Sequence, residues 1–170
     1  MESESARMSS AAEARFRIDY PNSKPRAVKV VALDAASEHV VKEAAQRAWQ
    51  SASFFTSLEF DGTPRSGEGW SIKAWLHDLA GRTKALVDEV ATADLVVMVS
   101  SAGTSAQAAA VIGEACAVRK VMTMALIIGS EQRSNDELSK TLASLRPYAQ
   151  MLVIASGDEY IEEMLAALRA

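Results

Sequence analysis

The chain predicts an α/β fold, a three-layer Rossmann-like sandwich of about five mainly parallel strands with helices on both faces. Three observations carry that expectation. Short apolar runs alternate along the chain with stretches whose apolar residues recur at helical spacing. Two of the runs, LVVMV at 95–99 and VMTMALII at 121–128, have the continuous apolar character of central strands buried on both faces. With 170 residues, 49% of them hydrophobic and 24% charged, the chain is long enough for one substantial core and needs no second domain.

Residues 1–25 are rich in Ser, Ala and Glu and end in a Pro-flanked turn, so they are expected to form a flexible N-terminal arm, with Phe16–Tyr20 as a candidate edge strand. Residues 26–170 then make up a single Rossmann-like domain. AVKVVAL at 27–33 is the first strand, and Ser37 is the expected N-cap of the helix after it. In that helix Val40, Val41, Ala44, Ala45, Ala48 and Trp49 fall on one face, which should lie on the sheet. SFFTSLEF at 53–60 reads as the second strand and DGTPRSGEG at 61–69 as a loop. Over 70–91 the spacing of Ile72, Trp75, Leu76, Leu79, Leu86, Val87 and Val90 predicts a helix with Gly81 as its weak point. Ser134 and Glu137 match a capping box, and Leu138, Leu142 and Leu145 continue that helix along one face. MLVIA at 151–155 is the last strand, followed by an amphipathic helix carrying Ile161, Met164, Leu165 and Leu168.

Composition narrows the function. Cys116 is the one cysteine, so no internal disulfide framework exists, and its place beside Ile112 on an Ala-rich helix marks it as a buried small hydrophobe. His39 and His77 have no ligand-like companions nearby, which argues against a zinc site. A net charge of −4 with dispersed basic residues gives no footprint for nucleic acid. The apolar runs are too short to span a bilayer and the N-terminus has no apolar signal core, so a soluble, cytoplasmic protein without membrane contact is expected.

In a parallel sheet ligands sit beyond the C-terminal strand ends, where the strand order reverses. That rule places the switch point between the first and third strands and selects two turns. The one after the third strand offers the hydroxyls of Ser100, Ser101, Thr104 and Ser105, the flexible Gly103, Gln107, and the start of a helix that can face an anion. The one after the first strand offers Asp34 and Ser37. Carboxylates at Asp34, Glu38, Asp61 and Asp158 face those donors, with Arg65 and Arg133 as the basic residues of the rim. A polyphosphate would be repelled there; ribose hydroxyls or a cation suit the edge better.

Three stretches, VKVVALDAASEHVVKEAA at 28–45, ADLVVMVSSAGTSAQAAAVIGEACA at 93–117 and LRPYAQMLVIASGDEYIEEM at 145–164, resemble the nucleotide-binding half of the FtsZ/tubulin superfamily. Where that family has Gly-Thr-Gly-Thr-Gly, this chain has Gly103-Thr104-Ser105-Ala106-Gln107, and its first phosphate loop has no glycine but carries Asp34 and Glu38. In that family hydrolysis also draws on an acidic loop beyond the nucleotide-binding half, for which residues up to Ala170 hold no counterpart. The resemblance therefore implies the fold with degenerate phosphate loops and without GTPase activity. Ala93–Ile128 also resembles nucleoside deoxyribosyltransferases through Gly103, Thr104, Ile112, Gly113 and Lys120, but that family's nucleophilic Glu falls on Gln107.

The sequence thus points to a non-catalytic protein that binds a nucleotide-like small ligand or a partner at Asp34, Ser37, Ser100, Ser101, Gly103, Thr104, Ser105 and Gln107. It identifies no cofactor. The alternatives are a nucleoside or NAD glycosidase with Asp34 or Glu114 as nucleophile, and a structural subunit forming a homodimer through the Trp-containing segment 49–75.

Overall fold

In the computed structural model, which describes residues 24–57, 75–78, 83–104, 106–157 and 160–170, seven strands form one sheet in the order β4-β3-β2-β1-β5-β6-β7. The strands are β1 (Val28–Ala32), β2 (Ala52–Thr56), β3 (Trp75–Asp78), β4 (Thr83–Ala85), β5 (Leu95–Ser101), β6 (Met122–Ile128) and β7 (Met151–Ile154). The helices are α1 (Ala35–Ala44), α2 (Leu86–Ala91), α3 (Ala108–Arg119), α4 (Asn135–Leu145) and α5 (Tyr160–Leu168). The expected N-terminal arm and its edge strand at Phe16–Tyr20 lie outside the described residues, as does the loop at 61–69.

The five strands β2, β1, β5, β6 and β7 are mutually parallel, and β3 and β4 extend the sheet antiparallel beyond β2. This corrects the reading of 70–91 as a helix: only Leu86–Ala91 is helical, and Trp75–Asp78 and Thr83–Ala85 are strands. The free edge of β2 offers backbone partners, and pairing there outweighs a short stripe of helical spacing that Gly81 already interrupts.

Alternation in the strands explains the two cores. Val28, Val30 and Ala32 of β1, Leu95, Val97 and Val99 of β5, and Met124, Leu126 and Ile128 of β6 face α1 and α5, where Val40, Val41, Ala44, Ile161, Met164 and Leu165 complete the layer. The intervening residues, Val31, Val96, Met98, Ala125 and Ile127, face α2, α3 and α4, packing on Leu86, Val90, Ile112, Cys116 and Leu145. None of Leu95–Val99 is more than 3% exposed, as a strand covered on both faces requires. Each such side chain contributes about 1.5–3 kcal/mol of apolar transfer. On one face α3 lies so close that a Cβ at Gly113 would stand 2.5 Å from Cβ of Tyr148, so only glycine fits this crossing. Among the described residues no helix is long and apolar enough to cross a membrane.

The order β2-β1-β5-β6-β7 fixes where a site can form. After β1 the chain moves outward to β2; when it returns it pairs β5 on the other side of β1, in the register Val28↔Leu95 to Ala32↔Val99. The connections leaving β1 and β5 therefore run to opposite faces, which makes their C-terminal ends the switch point where parallel sheets offer a crevice.

Candidate functional site

Asp34 stands at the end of β1 as the N-cap of α1, in extended backbone at φ −148° and ψ 167°. The expectation of Ser37 as cap is corrected: Ser37 is the third helical residue, and the two form a reciprocal capping box. The Ser37 N–H donates to Asp34 Oδ1 at 2.9 Å, and Ser37 Oγ accepts from the Asp34 N–H at 3.2 Å while donating to the Asp34 carbonyl at 2.9 Å. An aspartate reaches the helix start with one carbon less than a glutamate and holds both the cap and the neighbouring turn.

That neighbouring turn follows β5. Its donors converge on the same carboxylate: the Ser101 N–H reaches Asp34 Oδ2 at 2.8 Å, and Ser101 Oγ reaches Oδ1 at 2.8 Å. Ser100 Oγ and Thr104 Oγ1 lie 3.2 and 3.1 Å from Oδ2. These two hydroxyls are 3.1 Å apart, and Thr104 Oγ1 also donates to the Ser101 carbonyl at 2.7 Å, so their two protons are shared among those acceptors and Asp34. Burial is the largest single influence on Asp34 and raises its pKa, but the hydrogen bonds from Ser101 N–H, Ser37 N–H, Ser101 Oγ and Thr104 Oγ1 together outweigh it and hold the carboxyl below the usual range. Asp34 is therefore a fixed anion whose acceptor positions are taken, not a base or nucleophile waiting for a proton or a carbon centre.

The rest of the turn is equally committed. The Ala102 N–H donates to the Ile128 carbonyl at 3.0 Å, and the Thr104 N–H to the Ser101 carbonyl at 3.3 Å. Gly103, at φ +90°, turns its N–H onto Thr141 Oγ1 at 2.9 Å, and Thr141 Oγ1 in turn donates to the Thr104 carbonyl at 3.1 Å. Thr141 is fully buried in α4. It is the residue that reading the sequence missed: one hydroxyl set among Leu138, Leu142 and Leu145 is the signal that marks it. Glu137, the capping-box partner of Ser134, completes this side, its side chain 3.4 Å from where a Cβ on Gly103 would stand.

The structure thus brings Asp34, Ser37, Ser100, Ser101, Gly103 and Thr104 together at one point. Gln107 is exposed just before α3 and makes no side-chain cap, and Ser105 lies outside the described residues. Of the rim cations, Arg133 pairs with Glu137 at 3.4 Å, and Arg65 lies outside the described residues. Glu38 pairs with Lys42 along α1. Glu114 faces a groove with Val121, Thr123, Pro147, Tyr148 and Gln150, at the starts of β6 and β7 and so at the opposite sheet edge from Asp34. Cys116 is buried, and desolvation pushes its thiol up to about 11. Trp49 Nε1 donates to the Ala44 carbonyl at 2.8 Å, and its ring lies 6.4 Å from that of Phe54.

No family profile matches the chain. No curated protein matches it. Among solved structures it is similar to the translation elongation factor SelB of Methanococcus maripaludis, determined in complex with the GTP analogue GppNHp, at 9% identity and a TM-score of 0.50. The likeness covers 88% of this chain, which spans only 34% of that one, and at this identity it shows the fold alone.

Proposed function

We propose that the chain is a non-catalytic binding protein that takes a nucleotide-like small ligand, of the nucleoside kind, at the crevice between the ends of β1 and β5. The observation that carries this reading is the position of the Asp34 cluster: a dense set of hydroxyl and amide groups at the point of a parallel sheet where ligands bind. Beside the saturated carboxylate, the half-buried hydroxyl oxygens of Ser101 and Thr104 keep acceptor capacity and the exposed Gln107 amide makes no cap bond, a set that matches a ribose-like partner able to give and accept hydrogen bonds. Fold likeness to a factor solved with a GTP analogue is compatible with a nucleotide-like ligand.

The same cluster supports the absence of GTPase chemistry. A phosphate loop needs free backbone N–H groups, whereas those of residues 101–104 each have an acceptor within the fold. No observation favours the glycosidase alternative, since Asp34 is saturated and Glu114 belongs to the other edge.

The test is a thermal-shift panel of nucleosides, NAD, ATP and GTP together with a phosphate-release assay. A saturating nucleoside at about 100 Kd raises stability by about 2.7 kcal/mol, and GTP yields no phosphate above the buffer blank. Stabilisation by none of the panel, or phosphate release abolished in an Asp34→Asn variant, overturns the proposal.

A further inference from the structure

We infer that Asp34 is the charge-selectivity determinant of this crevice: its side chain is a built-in anion seated on the turn after β5, and it keeps phosphate groups off that turn. The inference deepens the binding reading above and rests on it for the identity of the crevice. Ser37 N–H, Ser101 N–H and Ser101 Oγ stand 2.8–2.9 Å from two oxygens of a single carboxylate. Ser100 and Thr104 hydroxyls follow at 3.2 and 3.1 Å. Amide and hydroxyl donors converging on paired oxygens are the chemistry that recognises an oxyanion. Here the oxyanion is covalently part of the chain, so its local concentration exceeds that of any free competitor.

The geometry leaves an incoming phosphate no free backbone donor on this turn. The remaining N–H groups of the turn, those of Ala102, Gly103 and Thr104, point to the Ile128 carbonyl, Thr141 Oγ1 and the Ser101 carbonyl. A phosphate would have to displace Asp34 or meet its negative charge at contact distance. An uncharged ligand meets no such repulsion, so the residue sorts ligands by charge.

The experiment uses Asp34→Ser in the full chain. Serine is as good an N-cap as aspartate, so α1 keeps its cap while the charge goes and the two Ser101 donors face an opening of carboxylate size. Inorganic phosphate and, separately, acetate are titrated at constant ionic strength with chloride as the control, and the melting temperature is read. The expected result is a rise with phosphate and with acetate in the variant, of several degrees at saturation, and no rise beyond chloride in the wild type. If the variant does not fold by itself, recovery of native circular dichroism on adding either anion is the expected result. Equal phosphate stabilisation of wild type and variant overturns the inference. So does a variant that neither anion stabilises or refolds. These probes contain no nucleoside, so failure of a nucleoside to bind the wild type contradicts the function proposed above without touching this result.

Discussion

Replacing Asp34 by alanine removes in one step the cap of α1 and the link between the ends of β1 and β5. Loss of an N-cap carboxylate costs about 1 kcal/mol. The Ser101 N–H, which the carboxylate accepts at 2.8 Å, and Ser101 Oγ, also at 2.8 Å, then lose their acceptor in a partly buried setting. Leaving such a donor unmet costs about 1–3 kcal/mol, and because water reaches part of the site the lower end applies. The sum is about 3 kcal/mol, or roughly 6–12 °C in Tm for a domain of this size. Urea titration followed by circular dichroism should show the midpoint falling with the slope m unchanged. Asp34→Asn, which keeps an oxygen for the cap but turns an amide group toward some of the donors, should fall between the two. A loss below about 0.5 kcal/mol in Asp34→Ala would refute the view that this carboxylate ties the two strand ends together.

The pH dependence follows with a definite sign. The folded-state pKa of Asp34 is lowered, so the ionised form is favoured by folding. Its contribution is present in full above the unfolded value near 4 and is lost as pH falls through the folded value. The stability gap between wild type and Asp34→Asn should therefore be constant above about pH 5 and shrink as the solution is acidified; a gap that widens toward low pH would contradict the assignment. Thr141→Val keeps the shape but removes the hydroxyl that accepts from Gly103 and donates to Thr104, and should cost about 1–3 kcal/mol in urea unfolding, whereas Thr141→Ser should cost less. Gly113→Ala places a methyl group 2.5 Å from Tyr148 Cβ and should destabilise by about 1–3 kcal/mol, an effect that Tyr148→Gly in the same chain, which removes that Cβ, should partly relieve. Cys116, buried with its thiol pushed up to about 11, should resist a thiol reagent at neutral pH until denaturant is added.

Much of the fold is legible in the chain because burial leaves a periodic trace. Leu95–Val99 is apolar throughout and the run 121–128 is apolar but for Thr123, and they are the central strands. Ser134 and Glu137 announced their capping box by spacing alone, and the hydrogen bonds are there at 3.0 and 3.3 Å. The strand pair β3–β4 was not legible, because what makes it a pair of strands is the open edge of β2 and not any pattern of its own. The switch point between β1 and β5 follows from the alternation of elements, and so do the residues that line it. Their mutual hydrogen bonding does not: a sequence lists donors and acceptors but cannot say whether Asp34 meets a ligand or Ser101. Thr141 escaped notice for the same reason, being 37 residues from the Thr104 carbonyl to which it donates.

The central claim is that the crevice between β1 and β5 is a nucleoside-type binding site without catalysis. Amide chemical-shift mapping during titration with an unphosphorylated nucleoside tests it most directly. The account predicts saturable shifts confined to Ser37, the 100–107 turn and the neighbouring Thr141. Shifts centred instead on the groove of Glu114, Val121 and Tyr148, or no saturable shift anywhere, would contradict it.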